Sequence, residues 1–275
     1  MTACRLSVAQ ALQEARALGV DRLDTLMLLA DALDCSRTWL LAHDDAELNI
    51  EQASRLRARL ARRAAGEPLA YLLGEKEFHG LMLKVDSNVL VPRPETEVLV
   101  DWALELLAGA PRRNIVDLGT GSGAIALAVK HAQPIATVAA TDVSPAALGI
   151  ARANARRLAL DVEFIGGSWW QAVPQRRFHL VLSNPPYIAA GDPHLAALGH
   201  EPALALTPGG DGFDALRDIV AGAAAHLEPG GWMLLEHGFD QASAVQVLLR
   251  EHGFVGIQTR RDLAGKPRCS GGHQR

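Results

Sequence analysis

Asn184-Pro185-Pro186-Tyr187 is the segment whose residue types are best suited to chemistry. It closes an apolar run, Phe178 to Ser183, that reads as a buried strand. Two consecutive prolines cannot continue a central strand, because each lacks a backbone N–H and has a fixed φ, so the chain must leave the sheet along a stiff path. An Asn and a Tyr are thereby held at the strand's carboxyl end, which is where ligands bind in open α/β sheets. Taken alone, the same four residues also read as a proline-terminated strand followed by an ordinary loop.

A second candidate is Gly119-Thr120-Gly121-Ser122-Gly123, between a short strand (Ile115 to Leu118) and a helix (Ala124 to His131). Gly119 and Gly121 let the backbone turn sharply and approach a ligand, and the helix offers free N–H groups and a positive dipole end. Asp142 follows the next strand, Ile135 to Thr141, and suits the two hydroxyls of a ribose as a double acceptor. Two ligands fit this set. Gly119, Gly121 and Ala124 satisfy the dinucleotide fingerprint GxGxxG/A, with Asp142 near the expected distance. Asp117 and the additional Gly123 favour the other ligand. An anion at that place would repel a pyrophosphate, but it attracts an ammonium, as in a ligand carrying an amino-acid group and a sulfonium. The lesser reading of Asp142 is a strand-end acid capping the helix that Ser144-Pro145 opens. After a third strand, Val162 to Ile165, either Trp169 or Trp170 has the indole to cover an adenine, and periodicity leaves the choice open.

The elements that must hold these residues alternate strand and helix. Beyond Ser183 come a helix (Asp214 to Leu227), a strand (Trp232 to Glu236), a helix (Gln241 to His252) and a strand (Phe254 to Thr259). This alternation predicts an α/β fold with a parallel sheet covered on both faces. The N-terminal part is different. Ser7-Val8-Ala9-Gln10 has the form of a capping box, helices follow over Leu23 to Leu33 and from Ser36, and a fourth spans Glu51 to Ala65. Arg55, Arg57, Arg59, Arg62 and Arg63 on the fourth read as a solvated face rather than a nucleic-acid patch, since the chain's net charge is -4. From Leu69 to Val91 the pattern turns to alternation, a hairpin linking two domains. Pro94, Glu95 and Glu97 then suit the first turn of a helix that runs to about Ala108.

At 275 residues, 49% of them hydrophobic, the chain can bury a large core. Cys4, Cys35 and Cys269 lack the spacing of a zinc site or disulfide framework, so no metal is expected and a reducing cytoplasm fits. After Arg5 the N-terminal pattern is broken by polar residues, unlike a signal peptide, and no apolar run reaches the roughly 18 to 20 residues of a membrane span.

With these motifs in view, the chain resembles the release-factor glutamine methyltransferases (the PrmC/HemK family) among class I enzymes that use S-adenosylmethionine. The resemblance rests on Gly66-Glu67-Pro68-Leu69-Ala70-Tyr71, Glu77-Phe78-His79-Gly80-Leu81, Val89 to Glu97 (VLVPRPETE), Val116 to Gly123 (VDLGTGSG) and Ser183 to Ile188 (SNPPYI). Glu201-Pro202-Ala203-Leu204 and Gly209-Gly210-Asp211-Gly212 also fit. NPPY is shared with enzymes that methylate adenine or cytosine amino groups, whereas the hairpin and PRPETE segments are more specific. The resemblance implies a helical substrate-recognition domain (1–75), a β-hairpin linker (76–92) and a Rossmann-like methyltransferase domain (93–275) with a mostly parallel twisted sheet. It implies S-adenosylmethionine as cofactor and, as substrate, the glutamine of the GGQ loop of peptide chain release factors, methylated on its amide nitrogen, with neither stable nucleic-acid binding nor membrane association. Asp117, Gly119, Thr120, Gly121, Ser122, Gly123, Asp142, Trp169 and Asn184 would contact the cofactor, and Asn184, Pro185, Pro186 and Tyr187 the glutamine, with Asn184 and Pro185 catalytic. Trp169 is preferred over Trp170 because it stands fifteen residues before Asn184, the family's Trp position. Other readings of the same motifs are a DNA or RNA amino methyltransferase, which would have to flip its base, and a non-catalytic module that senses S-adenosylmethionine. One departure stands out: after Asp262-Leu263-Ala264-Gly265-Lys266, the run Arg268 to His273 is Gly-rich and poorly apolar, which predicts a short or frayed final edge strand.

Overall fold

The computed structural model describes residues 6–109 and 113–275; Cys4 and Arg5 lie outside the described residues. The chain divides into two compact units, one ending at Glu75 and one beginning at Lys76.

In the first unit, β1 (Leu6–Ser7) pairs antiparallel with β2 (Glu47–Leu48). Around this pair stand α1 (Val8–Ala17), α2 (Arg22–Leu33), α3 (Arg37–Ala42), α4 (Ile50–Ala64) and α5 (Leu69–Leu73). Ser7 and Gln10 form the expected capping box of α1. Ala53, Leu56 and Leu60 give α4 its buried stripe at helical spacing. Its arginines are largely neutralised within the unit: Arg57 pairs with Glu14, Arg59 with Asp31, Arg62 with Glu67 and Arg63 with Asp24. Helix α5 corrects the expectation of alternation from Leu69 onward. Pro68 sets the chain entering it, and Gly74 at φ 79° ends it in the left-handed conformation, so the hairpin starts only at Glu75.

The hairpin consists of β3 (Glu75–Phe78) and β4 (Leu81–Lys84). After it come α6 (Glu97–Leu107), β5 (Asn114–Leu118), α7 (Ala124–Ala132), β6 (Thr137–Asp142), α8 (Pro145–Leu158), β7 (Glu163–Gly166) and β8 (Phe178–Ser183). The chain finishes with α9 (Ala203–Leu206), α10 (Asp214–His226), β9 (Leu227–Glu236), α11 (Ala242–Glu251), β10 (Val255–Arg261) and β11 (Pro267–His273). Seven strands form one sheet in the order β10-β11-β9-β8-β5-β6-β7, parallel from β9 to β7. Successive residues of the central strands enter opposite layers. Leu180 and Leu182 join a core with α6, α7 and the hairpin's Phe78, Leu81 and Leu83, while Val181 joins one with α10 and α11. Both faces are thus covered, as the alternating pattern predicts.

The last strand is a correction. Far from fraying at the edge, β11 inserts antiparallel between β9 and β10, leaving β10 outermost, and Cys269 to Gly272 are buried. Its glycines answer to packing. A Cβ on Gly271 would lie 2.5 Å from both the Leu234 Cδ2 and the Met233 carbonyl oxygen, and 3.2 Å from the Trp102 ring. The indole and the neighbouring strand fill the volume a side chain would take. Gly271→Ala is therefore expected to lower unfolding free energy by about 1–3 kcal/mol, since a backbone oxygen cannot swing aside. A denaturant midpoint equal to that of the parent would contradict this account.

Candidate active site

The sheet register brings the candidate segments together. Leu118 pairs with Thr141 on one side and Ser183 on the other, and Asp142 pairs with Gly166. The chain thus leaves β5, β6, β7 and β8 at nearly one level, so Gly119, Asp142, Gly167 and Asn184 open onto the same edge. Strand β5 is the point where successive connections go to opposite sides, the switch point at which such sheets form clefts. A cavity of about 440 Å³ lies there, within the range of small-molecule sites.

Gly119, Thr120, Gly121, Ser122, Asp142, Trp169, Asn184 and Pro186 line this cavity. Asp117, Gly123, Pro185 and Tyr187 are not part of its lining. The three glycines of the turn have φ of 75°, 56° and 86°, all left-handed. The loop is fastened to β6: the N–H groups of Gly119 and Thr120 donate to the Thr141 carbonyl (2.9 and 2.8 Å), and that of Gly121 to Asp142 Oδ2 (2.8 Å). The turn's own N–H groups are thus engaged in holding it to β6. Asp142 Oδ1 accepts from the Ser144 N–H at 2.8 Å, while Ser144 caps α8. Asp142 thus organises the loops and also faces the cavity, where a carboxylate oxygen can accept a second hydrogen bond.

Asp117 is fully buried beneath the turn. Its Oδ2 accepts from the Thr120 hydroxyl at 2.6 Å, but its Oδ1 has no partner among the described residues. Burial pushes the carboxyl up to about 7, against the opposing hydrogen bonds from Thr120 and Ala126. A buried orphan acceptor of this kind calls for an explanation such as an absent ligand.

The two tryptophans separate clearly. Trp169, at φ 40°, has its ring 3.1 Å from where a Gly119 Cβ would stand, and it faces the cavity. Holding a bulky residue in that conformation costs of order 1–3 kcal/mol, and such strain clusters at functional sites. Trp170 points the other way, stacking on His226 at 4.6 Å and donating to the Ile219 carbonyl at 2.8 Å.

Behind Asn184-Pro185-Pro186-Tyr187 stand residues that sequence reasoning missed. Asn184 Nδ2 donates to the Thr96 hydroxyl (3.3 Å), and the Tyr187 hydroxyl donates to the buried Glu236 (3.4 Å). Burial pushes Glu236 up to about 7 and, with the Glu236 charge beside it, raises the Tyr187 hydroxyl well above its ordinary value. Gln241 Nε2 holds the Tyr187 carbonyl at 3.1 Å. Glu201 straps the segment before α6, accepting from the Val91 N–H at 3.0 Å and pairing with Arg93. Asn154 spans the Ser122 carbonyl (2.9 Å) and both backbone groups of Lys84 (2.7 and 3.0 Å), tying the turn to β4. Glu236 carries a readable signal, an acid closing a strand on the edge where Asp142 closes its own. Glu201 stands in a segment that fits the family resemblance, though nothing in that segment gives its partner, and Asn154 carries no signal.

Comparison with known proteins agrees with this geometry. Residues 6–74 match the family model described as the PrmC N-terminal domain, and residues 96–213 the methyltransferase small domain. A release factor glutamine methyltransferase from Xylella fastidiosa is 49% identical over 92% of this chain and 93% of its own length. Its counterpart in Burkholderia pseudomallei is 48% identical over 99% of both chains. Among solved structures, a T. thermophilus 16S rRNA N2 G1207 methyltransferase, in complex with AdoMet and guanosine, aligns with TM-score 0.56 at 22% identity, over 73% of this chain and 50% of that one. A methyltransferase from Pyrococcus furiosus aligns with TM-score 0.52 at 20% identity, over 80% and 98%. At those identities the likeness speaks for the fold alone, but the near full-length relatives go further: the chain belongs to the release factor glutamine methyltransferase family.

Proposed function

We propose that this protein transfers a methyl group from S-adenosylmethionine to the side-chain amide nitrogen of the glutamine in the GGQ loop of peptide chain release factors. The observation that carries this is the placement of Asn184, a planar acceptor, on the same sheet edge as the glycine turn and Asp142. The near full-length similarity to named relatives supports the substrate. The cofactor fits the residues present: a cavity of about 440 Å³, an indole over the glycine turn, and an orphan buried carboxylate oxygen suited to an ammonium.

S-adenosylmethionine supplies an electrophilic methyl carried on a sulfonium. A glutamine amide nitrogen is a poor nucleophile because its lone pair is delocalised, so the chain's task is to position it. In the proposed arrangement Asn184 Oδ1 and the Pro185 carbonyl each accept one N–H of that amide. These acceptors bind more strongly as positive charge develops on nitrogen, which lowers the barrier rather than only improving binding. Attack breaks the methyl–sulfur bond, leaves a neutral thioether and first gives an N-methylated amide cation; that cation is a strong acid, and solvent suffices to take its N–H proton and leave the neutral methylated amide. Asp142 would hold the ribose and Trp169 cover the adenine, and Pro186 lines the wall beside the glutamine, with Tyr187 next to it outside the lining. The helical unit serves release-factor recognition, and the cytoplasm is the proposed location; among the described residues no helix is long and apolar enough to cross a membrane.

Labelled S-adenosylmethionine supplied with purified release factor, a Gln-to-Ala variant of its GGQ loop, and nucleic acid tests the proposal. Label should enter the unmodified release factor alone. Label in nucleic acid alone would reject the reading, and label nowhere would leave a sensor of S-adenosylmethionine.

The state of Asp117 gives a pH dependence. In the ligand-free protein its folded value of about 7 lies above the unfolded 3.8, so stability falls as pH rises through that window. An ammonium partner favours the ionised carboxylate, so cofactor affinity should rise about fivefold from pH 6 to about pH 7.5 and level off above it, where the ligand's own ammonium begins to lose its proton. Calorimetric titration across that range checks this, and Asp117→Asn should flatten the dependence.

A further inference from the structure

The transfer step described above leaves a buried polar chain behind Asn184 unused. Thr96, in the turn before α6, is 4% exposed and Glu236, at the end of β9, 2%. Asn184 Nδ2 donates to Thr96 Oγ1 at 3.3 Å. The Tyr187 hydroxyl donates to Glu236 Oε1 at 3.4 Å, and the Thr96 hydroxyl is near enough to the same carboxyl to favour its ionised form. The other carboxyl oxygen of Glu236 has no partner among the described residues. Other titratable groups bearing on this pair are Glu95 from the same turn, Arg268 and Cys269 from β11, and Arg93, which acts on Tyr187.

An asparagine amide has nearly the same shape in its two orientations, and only its hydrogen-bond partners distinguish them. One presents Oδ1 to the cavity, an acceptor for an incoming N–H. The other presents Nδ2, a donor that would meet the substrate amide donor to donor. The Thr96 hydroxyl cannot choose between them unaided, because it both donates and accepts. Its proton has a preferred destination, however: an ionised carboxylate only accepts. With that proton committed to Glu236, Thr96 is left as an acceptor, and the group it accepts from is Asn184 Nδ2.

We infer that Thr96 and Glu236 are positioning residues that fix the orientation of the Asn184 amide, keeping Oδ1 toward the glutamine. This rests on the proposed glutamine methylation and adds to it a cause for the polarity of the acceptor. When Glu236 takes up a proton it becomes a donor, the chain of hydrogen bonds can reverse, and Asn184 loses its preference.

The test is single-turnover methylation of release factor at saturating S-adenosylmethionine, with Kd for S-adenosylhomocysteine measured alongside. Thr96→Val keeps the shape and removes the hydroxyl, and it should slow transfer about 10- to 100-fold, far beyond any change in that Kd. Thr96→Ser should bring the rate back to within about threefold of the parent. In the parent the rate should fall as pH drops below about 7, and Glu236→Gln, which still accepts but cannot ionise, should lose that fall. A Thr96→Val rate within twofold of the parent, or a Thr96→Ser rate as low as that of Thr96→Val, overturns the inference about Thr96. An unchanged pH profile in Glu236→Gln overturns the part assigned to Glu236. If the parent itself places no methyl on release factor, the glutamine reading fails, and the inference fails with it.

Discussion

Asn184→Ala is expected to lower turnover by about 10²- to 10³-fold, the scale on which removal of one pre-aimed polar group acts. The physical reason lies in what the residue does and what it does not do. Asn184 stands at the end of a strand buried on both faces, where Ser183 Oγ donates to the Leu118 carbonyl at 2.7 Å and locks β8 to β5. Truncating the side chain leaves that lock and the two prolines in place, so the backbone path should persist. What is lost is an acceptor whose interaction grows as charge develops on the attacked nitrogen, an effect on kcat more than on release-factor binding. Single-turnover methylation with labelled S-adenosylmethionine separates the two. Near-normal transfer by Asn184→Ala would remove Asn184 from its assigned role, whatever the fate of the substrate assignment.

The parts of this site that sequence makes legible share one property: their chemistry is written locally. A strand that stops at two prolines, a glycine turn before a helix and an acid after the next strand each announce a strand's carboxyl end, and a parallel sheet brings such ends to one edge. The register of Leu118 with Thr141 and with Ser183 realises this. What escapes is determined by residues distant in sequence. The choice between Trp169 and Trp170 depends on α10, whose Ile219 carbonyl takes the Trp170 indole N–H. Thr96 and Asn184 meet across 88 positions. The run Arg268 to His273 looks too polar for a strand because its glycines are matched to residues outside the run, Gly271 to Trp102 and Leu234 and Gly272 to Phe254 and Ile257. Local propensity reads such glycines as weakness, whereas tertiary packing gives them their reason.

Gly212→Ala should reduce turnover about 100-fold while leaving cofactor affinity nearly intact, although Gly212 lies 25 or more residues beyond the motif it supports. Gly212 has φ 84°, a conformation costing an alanine about 1–2 kcal/mol. The larger effect is contact: a Cβ there would stand 2.5 Å from the Tyr187 carbonyl oxygen and 3.0 Å from the Ala189 nitrogen. Both are backbone atoms, and that carbonyl is also held by Gln241, so the strain cannot be relieved by turning a side chain. The segment after the two prolines must shift instead, carrying the wall of the glutamine pocket with it. A displacement near 1 Å is enough for about a 10²-fold loss where positioning is the catalytic device. The glycine turn, Asp142 and Trp169 hang on other strands and should hold the cofactor as before. Gly209→Ala supplies the comparison, since Gly209 has φ 92° with nothing within 4 Å of an added Cβ. It bears the conformational cost without the contact. If the two variants lose turnover equally, backbone strain explains the loss and the contact with Tyr187 does not; if Gly212→Ala alone is slow, the pocket wall is set by the loop packed against it.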